Sequence, residues 1–347
     1  MPKEATKLRD SEFWKRLWLL FLSGSAWIIL SVLALWTMGA IYYHEFLPRW
    51  LSPILMILFL VSVVAVLIKI KNRIVSRAVV AGMMGLVYLS WILVVPRSDR
   101  EWQDQHQKMA DISIHDGKIQ IRNLRHTRYK TATDYKTEYS DVDFQLKEVE
   151  SVWFLVQRFT SLKSLGHTFL SFGIKTPNGR RFISVSVEVR CEPGEKFEPI
   201  SSMFKQTELI YVFSDERDAL GYRTHVREED RVWMYRCNAT PEQAQAMFVD
   251  IAKRSNQLRE QPEFYHTLFN NCTNNIVLHA NRIAEEPANY LDFKVMLPGY
   301  SAKPAYNLGL IGEAGESFAE LQERSRIDII ARKHKLDREF SERIRGQ

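Results

Sequence analysis

Residues Gly166–Arg190 read GHTFLSFGIKTPNGRRFISVSVEVR. Two runs rich in aromatic and β-branched residues, Thr168–Ile174 and Arg181–Arg190, flank the stretch KTPNG. Such runs suit a pleated, half-buried surface. Asn and Gly both tolerate the positive φ that tight hairpin turns need, so Asn178-Gly179 predicts an antiparallel pair turning at that point. A turn there makes facing residues sum to 357, with Glu188 opposite Phe169 and Arg190 opposite His167. His167, Phe169, Ser171, Ser186, Glu188 and Arg190 then share one face, and Glu188 is a diagonal neighbour of His167 within reach of a long side chain.

Outward from this hairpin the texture stays alternating. Asp111–Leu124 reads as a second hairpin turning at HDGK, and Val152–Phe159, Leu209–Phe213 and Arg231–Arg236 add strands. Thr240–Glu260 is a helix: Thr240 is the cap, Pro241 opens the first turn and Gln243 completes a capping box. Cys272–Ile283 is a second helix, and Ser317–Arg345 is a charged stretch with helical spacing around Ile327 and Ile330. Antiparallel strands with a few helices make an α+β domain. There is no internal repeat and no low-complexity segment.

The first hundred residues differ in kind. Three uncharged apolar runs, 17–42, 51–68 and 78–95, are each near the length that spans a bilayer. The first is too long for the apolar core of a cleaved signal peptide. Residues 1–100 hold twelve Lys/Arg against five Asp/Glu, so +7 of the chain's +6 formal charge sits there and residues 101–347 sum to −1. The basic balance therefore belongs to the flanks of the apolar runs and gives no support to nucleic-acid binding. Lys3, Lys7, Arg9, Lys15 and Arg16 precede the first run, and Lys69, Lys71, Arg73 and Arg77 lie between the second and third. Both stretches fall on one side if the N-terminus, residues 1–16, is cytoplasmic, which places everything after Val95 outside. Trp14, Trp18, Trp50 and Trp102 suit interfacial belts.

Within YHTLFNNCTNNIVLHANRI, Tyr265–Ile283, Cys272 opens a helix directly after Asn270 and Asn271. Either asparagine can cap that helix, and a thiol in its first turn is stabilised as thiolate by unpaired amides and the helix dipole. A nucleophile also needs a base and a group to orient it. His167, His225, His266 and His279 are the candidates; His167 is best placed, with Glu188 as orienter. The competing reading is a small buried cysteine and a structural histidine. His266 and His279 flank Cys272 at six and seven residues, which matches no compact zinc pattern, so no metal is expected. No cofactor motif appears. Of the three cysteines, Cys191 and Cys237 each end an expected strand and are open to pairing, leaving Cys272 free; three reduced thiols are the alternative.

The stretches QIRNLRHTRYKTATDYKTEYSDVDFQL, GHTFLSFGI, SVSVEVRCEPGEKFEPI, SDERDAL, EQPEFYHTLFNNCTNNI and MLPGYSAKPAYNLGLI resemble, in that order, the Lnb N-terminal periplasmic domain family of bacterial proteins. The resemblance covers most of residues 100–315, leaving 316–347 as a charged helical tail. It implies a permuted papain-like (NlpC-type) thiol fold with an antiparallel sheet, preceded by three transmembrane helices. In the order His first and Cys later it is similar to lecithin retinol acyltransferase and its phospholipid-acting relatives. It implies Cys272 as nucleophile and His167 as base, and is compatible with Glu188 as orienter; Asn271 and Asn270 would support the oxyanion or cap the helix. Members named for their activity are lipoprotein N-acyltransferases, so the resemblance implies membrane lipid as partner, a lipoprotein as acceptor, and the inner membrane of a bacterium with the domain in the periplasm. A periplasmic cysteine peptidase or cell-wall amidase on the same chemistry, and a non-enzymatic membrane module, are the alternatives.

Overall fold

The computed structural model describes residues 24–159, 164–177, 179–284, 286–289, 292, 294 and 297–346. The N-terminal basic stretch with Trp14 and Trp18, residues 17–23 of the first expected span, and Asn178 of the expected turn lie outside the described residues. The chain divides into two compact units, Met1–Val95 and Pro96–Gln347.

In the first unit, α1 (Gly24–Tyr42), α2 (Ser52–Lys69) and α3 (Arg73–Ile92) are long and apolar enough to cross a membrane. Ile41, Phe59, Val80 and Met84 pack together between them, while Leu35, Ile68 and Leu86 stay exposed. The third helix starts at Arg73, five residues before the apolar run does. Asn72 accounts for this: its side chain accepts from the N–H groups of Ile74 (3.0 Å) and Val75 (3.2 Å) and caps the helix there.

The second unit is built on one eight-stranded sheet of β1 (Asp111–His115), β2 (Lys118–Tyr129), β3 (Tyr135–Gln145), β4 (Val149–Arg158), β5 (Gly166–Thr176), β6 (Gly179–Arg190), β7 (Glu208–Asp215) and β8 (Arg231–Arg236). The order is β1-β2-β7-β6-β5-β4-β8, with β3 paired to β2. All pairings are antiparallel except a single parallel bridge, Arg125 to Ser214, between β2 and β7. The β1–β2 turn at Asp116-Gly117 has φ of 49° and 75°, as a tight hairpin turn requires. β3 was not expected; only Val142 and Phe144 of its polar, charged sequence are buried.

The central hairpin forms with a different register from the one the Asn-Gly pair suggests. Thr176 pairs with Gly179 and Phe169 with Ser186, so facing residues sum to 355. Gly179, at φ +106°, closes the turn instead of sitting in its middle. Because the shift is two residues, every side chain keeps its face and changes only its partner.

The sheet has a core on each side. On one, α5 (Pro241–Glu260) and α6 (Cys272–Asn281) cover Leu170, Phe172, Val185, Val187, Tyr211 and Phe213. The Phe248 ring of α5 sits edge-on to Phe172 at 5.1 Å and to Phe213 at 6.1 Å, a burial that stabilises by about 1.5–3 kcal/mol. On the other side, α4 (Glu216–Gly221) and the segment after residue 325 cover Leu155 and Phe169 with Leu220, Ile327, Phe340 and Ile344. The charged stretch 317–345 is therefore not a solvated tail. It breaks into short helical turns, of which Ile327, Ala331, Phe340 and Ile344 fill this second core while Leu321 joins the first.

Candidate active site

Cys272 is the first residue of α6 and is 1% exposed. Its position is set by reciprocal capping: the Asn271 side chain accepts from the Asn274 N–H (2.9 Å), and the Asn271 N–H donates to the Asn274 side chain (3.2 Å). The Asn271 amide donates in turn to the Thr267 carbonyl (2.7 Å), which fixes the capping side chain in place. Asn270 donates to Glu263 and to the Phe264 carbonyl, pinning the approaching loop. The capping role of Asn271 is thus visible in the structure.

Sequence reasoning missed Tyr265. Its phenol, 6% exposed as a residue, is buried beside the Cys272 thiol and backbone. Burial first, and the neighbouring thiol second, hold it well above its ordinary pKa, so it stays protonated. The signal in the sequence was slight: an aromatic seven residues before the cysteine, in a loop.

His167 and Glu188 are brought together through a third residue, Ser186. His167 Nε2 is 2.6 Å from Ser186 Oγ, and Ser186 Oγ donates to Glu188 Oε1 at 2.7 Å. The single serine proton is spent on the carboxylate, so Ser186 must accept from Nε2–H. That fixes the neutral tautomer and leaves the Nδ1 lone pair as the basic atom. Burial first, and the Arg223 charge second, push His167 down to about 3 against the pull of Glu188. Burial alone would raise Glu188, but His106, Arg125 and Arg223 outweigh it and hold the carboxyl well below its usual range. Arg223 reaches Glu188 Oε1 at 3.0 Å from the wide helical turn after α4, and its guanidinium also covers the Phe169 ring at 4.5 Å.

The two halves come from opposite faces of the sheet. Thr168 faces α6, where its hydroxyl is 3.0 Å from that of Thr273. His167, the alternate residue, stacks on Phe169 on the other face. The chain neighbours of His167 and Cys272 are thus in contact at the start of β5, but no hydrogen bond or ion pair joins Cys272 itself to His167. His266 and His279 lie in the Cys272 region, and His225 belongs to the second core, 6.0 Å from the Phe340 ring centre.

All three cysteines are free thiols. Cys191 follows β6, whereas the Cys237 N–H bonds to the Val152 carbonyl, and Val152 pairs across β5 (through Phe172) to Ile183. From Ile183 to Cys191 is eight residues of strand, about 26 Å, beyond any disulfide reach. The Cys191–Cys237 pairing left open by the sequence is therefore excluded. Among the described residues no group of three or more His, Cys, Asp or Glu is arranged to hold a metal ion.

The family model described as Lnb N-terminal periplasmic domain matches residues 135–299. The resemblance carried by the sequence motifs stands over that stretch, which contains His167, Ser186, Glu188, Tyr265 and Cys272. No curated protein and no solved structure matched the chain. A periplasmic-domain match together with three apolar helices fits a membrane-anchored periplasmic module.

Proposed function

We propose that this chain is a thiol acyltransferase of the bacterial inner membrane, N-terminus cytoplasmic and domain periplasmic, that works through a thioester on Cys272. The observation that carries this reading is a cysteine at the first position of a doubly capped helix, near the start of β5 where, among the described residues, no hydrogen bond takes up the Nδ1 of a histidine whose Nε2 is tied to serine and glutamate. The Cys272 sulfur attacks an ester carbonyl of a phospholipid; its proton passes to His167 Nδ1. The S–C bond forms, the ester C–O bond breaks, and the imidazolium returns the proton to the departing alkoxide of the lysophospholipid. An amine, on the family analogy the amino terminus of a lipoprotein, then attacks the thioester. Its nitrogen loses a proton to His167, the new C–N bond forms as the C–S bond breaks, and the imidazolium returns that proton to the Cys272 sulfur, restoring the starting thiol and neutral imidazole. Tyr265, buried beside the Cys272 thiol and backbone, supplies an O–H to the developing oxyanion. Tethering beside a bilayer raises the effective concentration of lipid.

A second reading has its own support: the near-complete burial of Cys272 and the placement of His167 on the other face favour a non-enzymatic membrane module. Intact-mass spectrometry of the detergent-solubilised protein after incubation with phospholipid separates the two. The expected result is a fatty-acyl adduct on wild type that hydroxylamine removes, absent from Cys272→Ser and strongly reduced in His167→Ala. No adduct on a Cys272 that iodoacetamide still alkylates turns the assignment to a peptidase or amidase. A thiol that neither reagent reaches leaves the non-enzymatic module.

A further inference from the structure

Behind the candidate nucleophile runs a buried chain of side chains that the proposed reaction does not use. Asp250 on α5 meets His279 on α6, with Oδ2 2.6 Å from Nδ1. His279 Nε2 is 2.8 Å from the Tyr211 hydroxyl of β7. The same hydroxyl donates to Asn275 Oδ1 at 2.9 Å. Asn275 Nδ2 then donates to the Asn271 carbonyl and to Asn270 Oδ1, both at 2.9 Å. The chain thus ends on the two asparagines that set the Cys272 turn. His279, Asn275 and Tyr211 are 2%, 1% and 1% exposed, so no bulk water substitutes for a missing link.

Counting protons along this chain gives a definite answer. Asn275 must point its NH2 at the backbone carbonyl of Asn271, because that carbonyl only accepts. Its oxygen therefore faces Tyr211, and the single phenolic proton is spent there. The contact between Tyr211 and His279 Nε2 then needs a proton on Nε2, and the contact between Nδ1 and the Asp250 carboxylate needs one on Nδ1. With a neutral imidazole one of these four links has two lone pairs facing each other.

We propose that Asp250, His279, Tyr211 and Asn275 position the Cys272 turn, and that the chain is complete only while His279 carries protons on both ring nitrogens as the partner of ionised Asp250. This rests on Cys272 being the reactive residue. The charged and titratable neighbours are Asp250 and Arg254 from α5, Arg282 from α6's end, Tyr211 from β7 and Glu263 beside Tyr211. His279 is lowered on balance: burial is the largest influence, Asp250 opposes it, and Arg282 and Arg254 add to the lowering, so the doubly protonated ring rests on the hydrogen-bond pattern alone. Arg282 holds the second Asp250 oxygen at 2.6 Å, which keeps the carboxylate ionised. Loss of the Nε2 proton forces Tyr211 to choose between His279 and Asn275, and the choice of His279 releases the cap. None of these four is a catalytic residue; they act through the backbone of residues 270–272.

Two measurements on the full-length protein in detergent micelles test this. The first is the 15N spectrum of histidine-labelled protein at pH 7, with His279 assigned by its loss in His279→Gln. Imidazolium positions for both nitrogens are expected, and one unprotonated nitrogen overturns the proposal. The second is the pH dependence of Cys272 alkylation by iodoacetamide, read by peptide mass spectrometry with Cys191 and Cys237 as internal controls. Tyr211→Phe and His279→Leu are expected to move the Cys272 midpoint up by about half a unit, roughly a threefold loss of rate at pH 7, as expected for a thiolate that loses part of its helix-terminus stabilisation. His279→Gln, whose amide N–H can replace Nε2–H, should keep the wild-type midpoint. Equal midpoints in all variants, or a wild-type Cys272 that the reagent never reaches, overturn it. The midpoint shift is read whether or not an acyl adduct forms, so failure of the proposed reaction and failure of this device are distinguished.

Discussion

Replacing Arg345 by Met should be among the most damaging single changes outside the candidate site. The Arg345 guanidinium donates to both oxygens of Glu216, at 2.7 Å and 2.5 Å, and Ser171 donates to the same carboxylate at 2.5 Å. Neither charged side chain exposes any surface. The guanidinium is also sandwiched, 3.6 Å from the Phe182 ring centre and 4.7 Å from that of Trp153. Methionine keeps most of the apolar contact but leaves a buried carboxylate with one serine. Breaking a buried pair from one side costs about 3–5 kcal/mol, because the stranded charge has no water to return to. For a domain of this size, each kcal/mol is about 2–4 °C in Tm, so a drop of roughly 6–20 °C is expected. Urea unfolding followed by tryptophan fluorescence checks the free energy. The double variant Glu216→Gln with Arg345→Met should recover most of the loss, since no charge is then stranded. A single variant within about 1 kcal/mol of wild type would refute the argument and mean that water reaches the pair.

Three further outcomes follow from the geometry. His167, held at about 3 in the fold against about 6.5 unfolded, takes up a proton on unfolding at any pH between these values; its contribution is intact above 6.5 and falls by about 2 kcal/mol by pH 5, so the pH 5 to pH 7 difference in urea stability should shrink by that amount in His167→Gln. Ser186→Ala removes the link between His167 and Glu188, and should lower the rate of acyl-adduct formation by about 10–100-fold while leaving Cys272 alkylation unchanged; an unaltered adduct rate means the relay is idle. Gly166→Ala drives a Cβ into the Gln157 backbone carbonyl and towards the Gly299 N–H; it should cost more than about 1 kcal/mol by forcing β5 away from β4, and a neutral effect in thermal melts would rule out the close approach.

Much of the second unit was legible in the residue pattern because its strands are paired with partners close in sequence. The Asp-Gly turn, the Thr240 capping box and the β8 boundaries all follow from local chemistry. The Asn178-Gly179 pair, with Asn178 itself outside the described residues, was a weaker guide: it marks a turn, but Gly179 serves equally well at the end of a loop as in its middle, and only pairing chooses. β3 was invisible because a polar strand lying at the periphery needs few apolar residues. The roles of the acids in SDERD, Ser214–Asp218, are not legible locally: Asp215 caps α4 and pairs with Arg217, but Glu216 and Asp218 are buried beneath arginines from β2 and from residue 345. Such partners, more than ninety residues away in sequence, leave no local trace. At the candidate site, His167, Glu188 and Cys272 were recoverable as chemistry-bearing residues. Ser186 and Tyr265 were not given roles, since a strand serine and a loop tyrosine are ordinary until the fold places them.

The second core also imposes a schedule on synthesis. Glu216 must wait for Arg345, 129 residues later, before its charge is matched. At about 5–20 residues per second that is roughly 6–26 s during which Leu155, Phe169 and a bare carboxylate face outward on a chain whose other sheet face is already assembling. The nascent domain is thus lopsided over that interval, and whatever escorts it has one greasy, anionic side to shield.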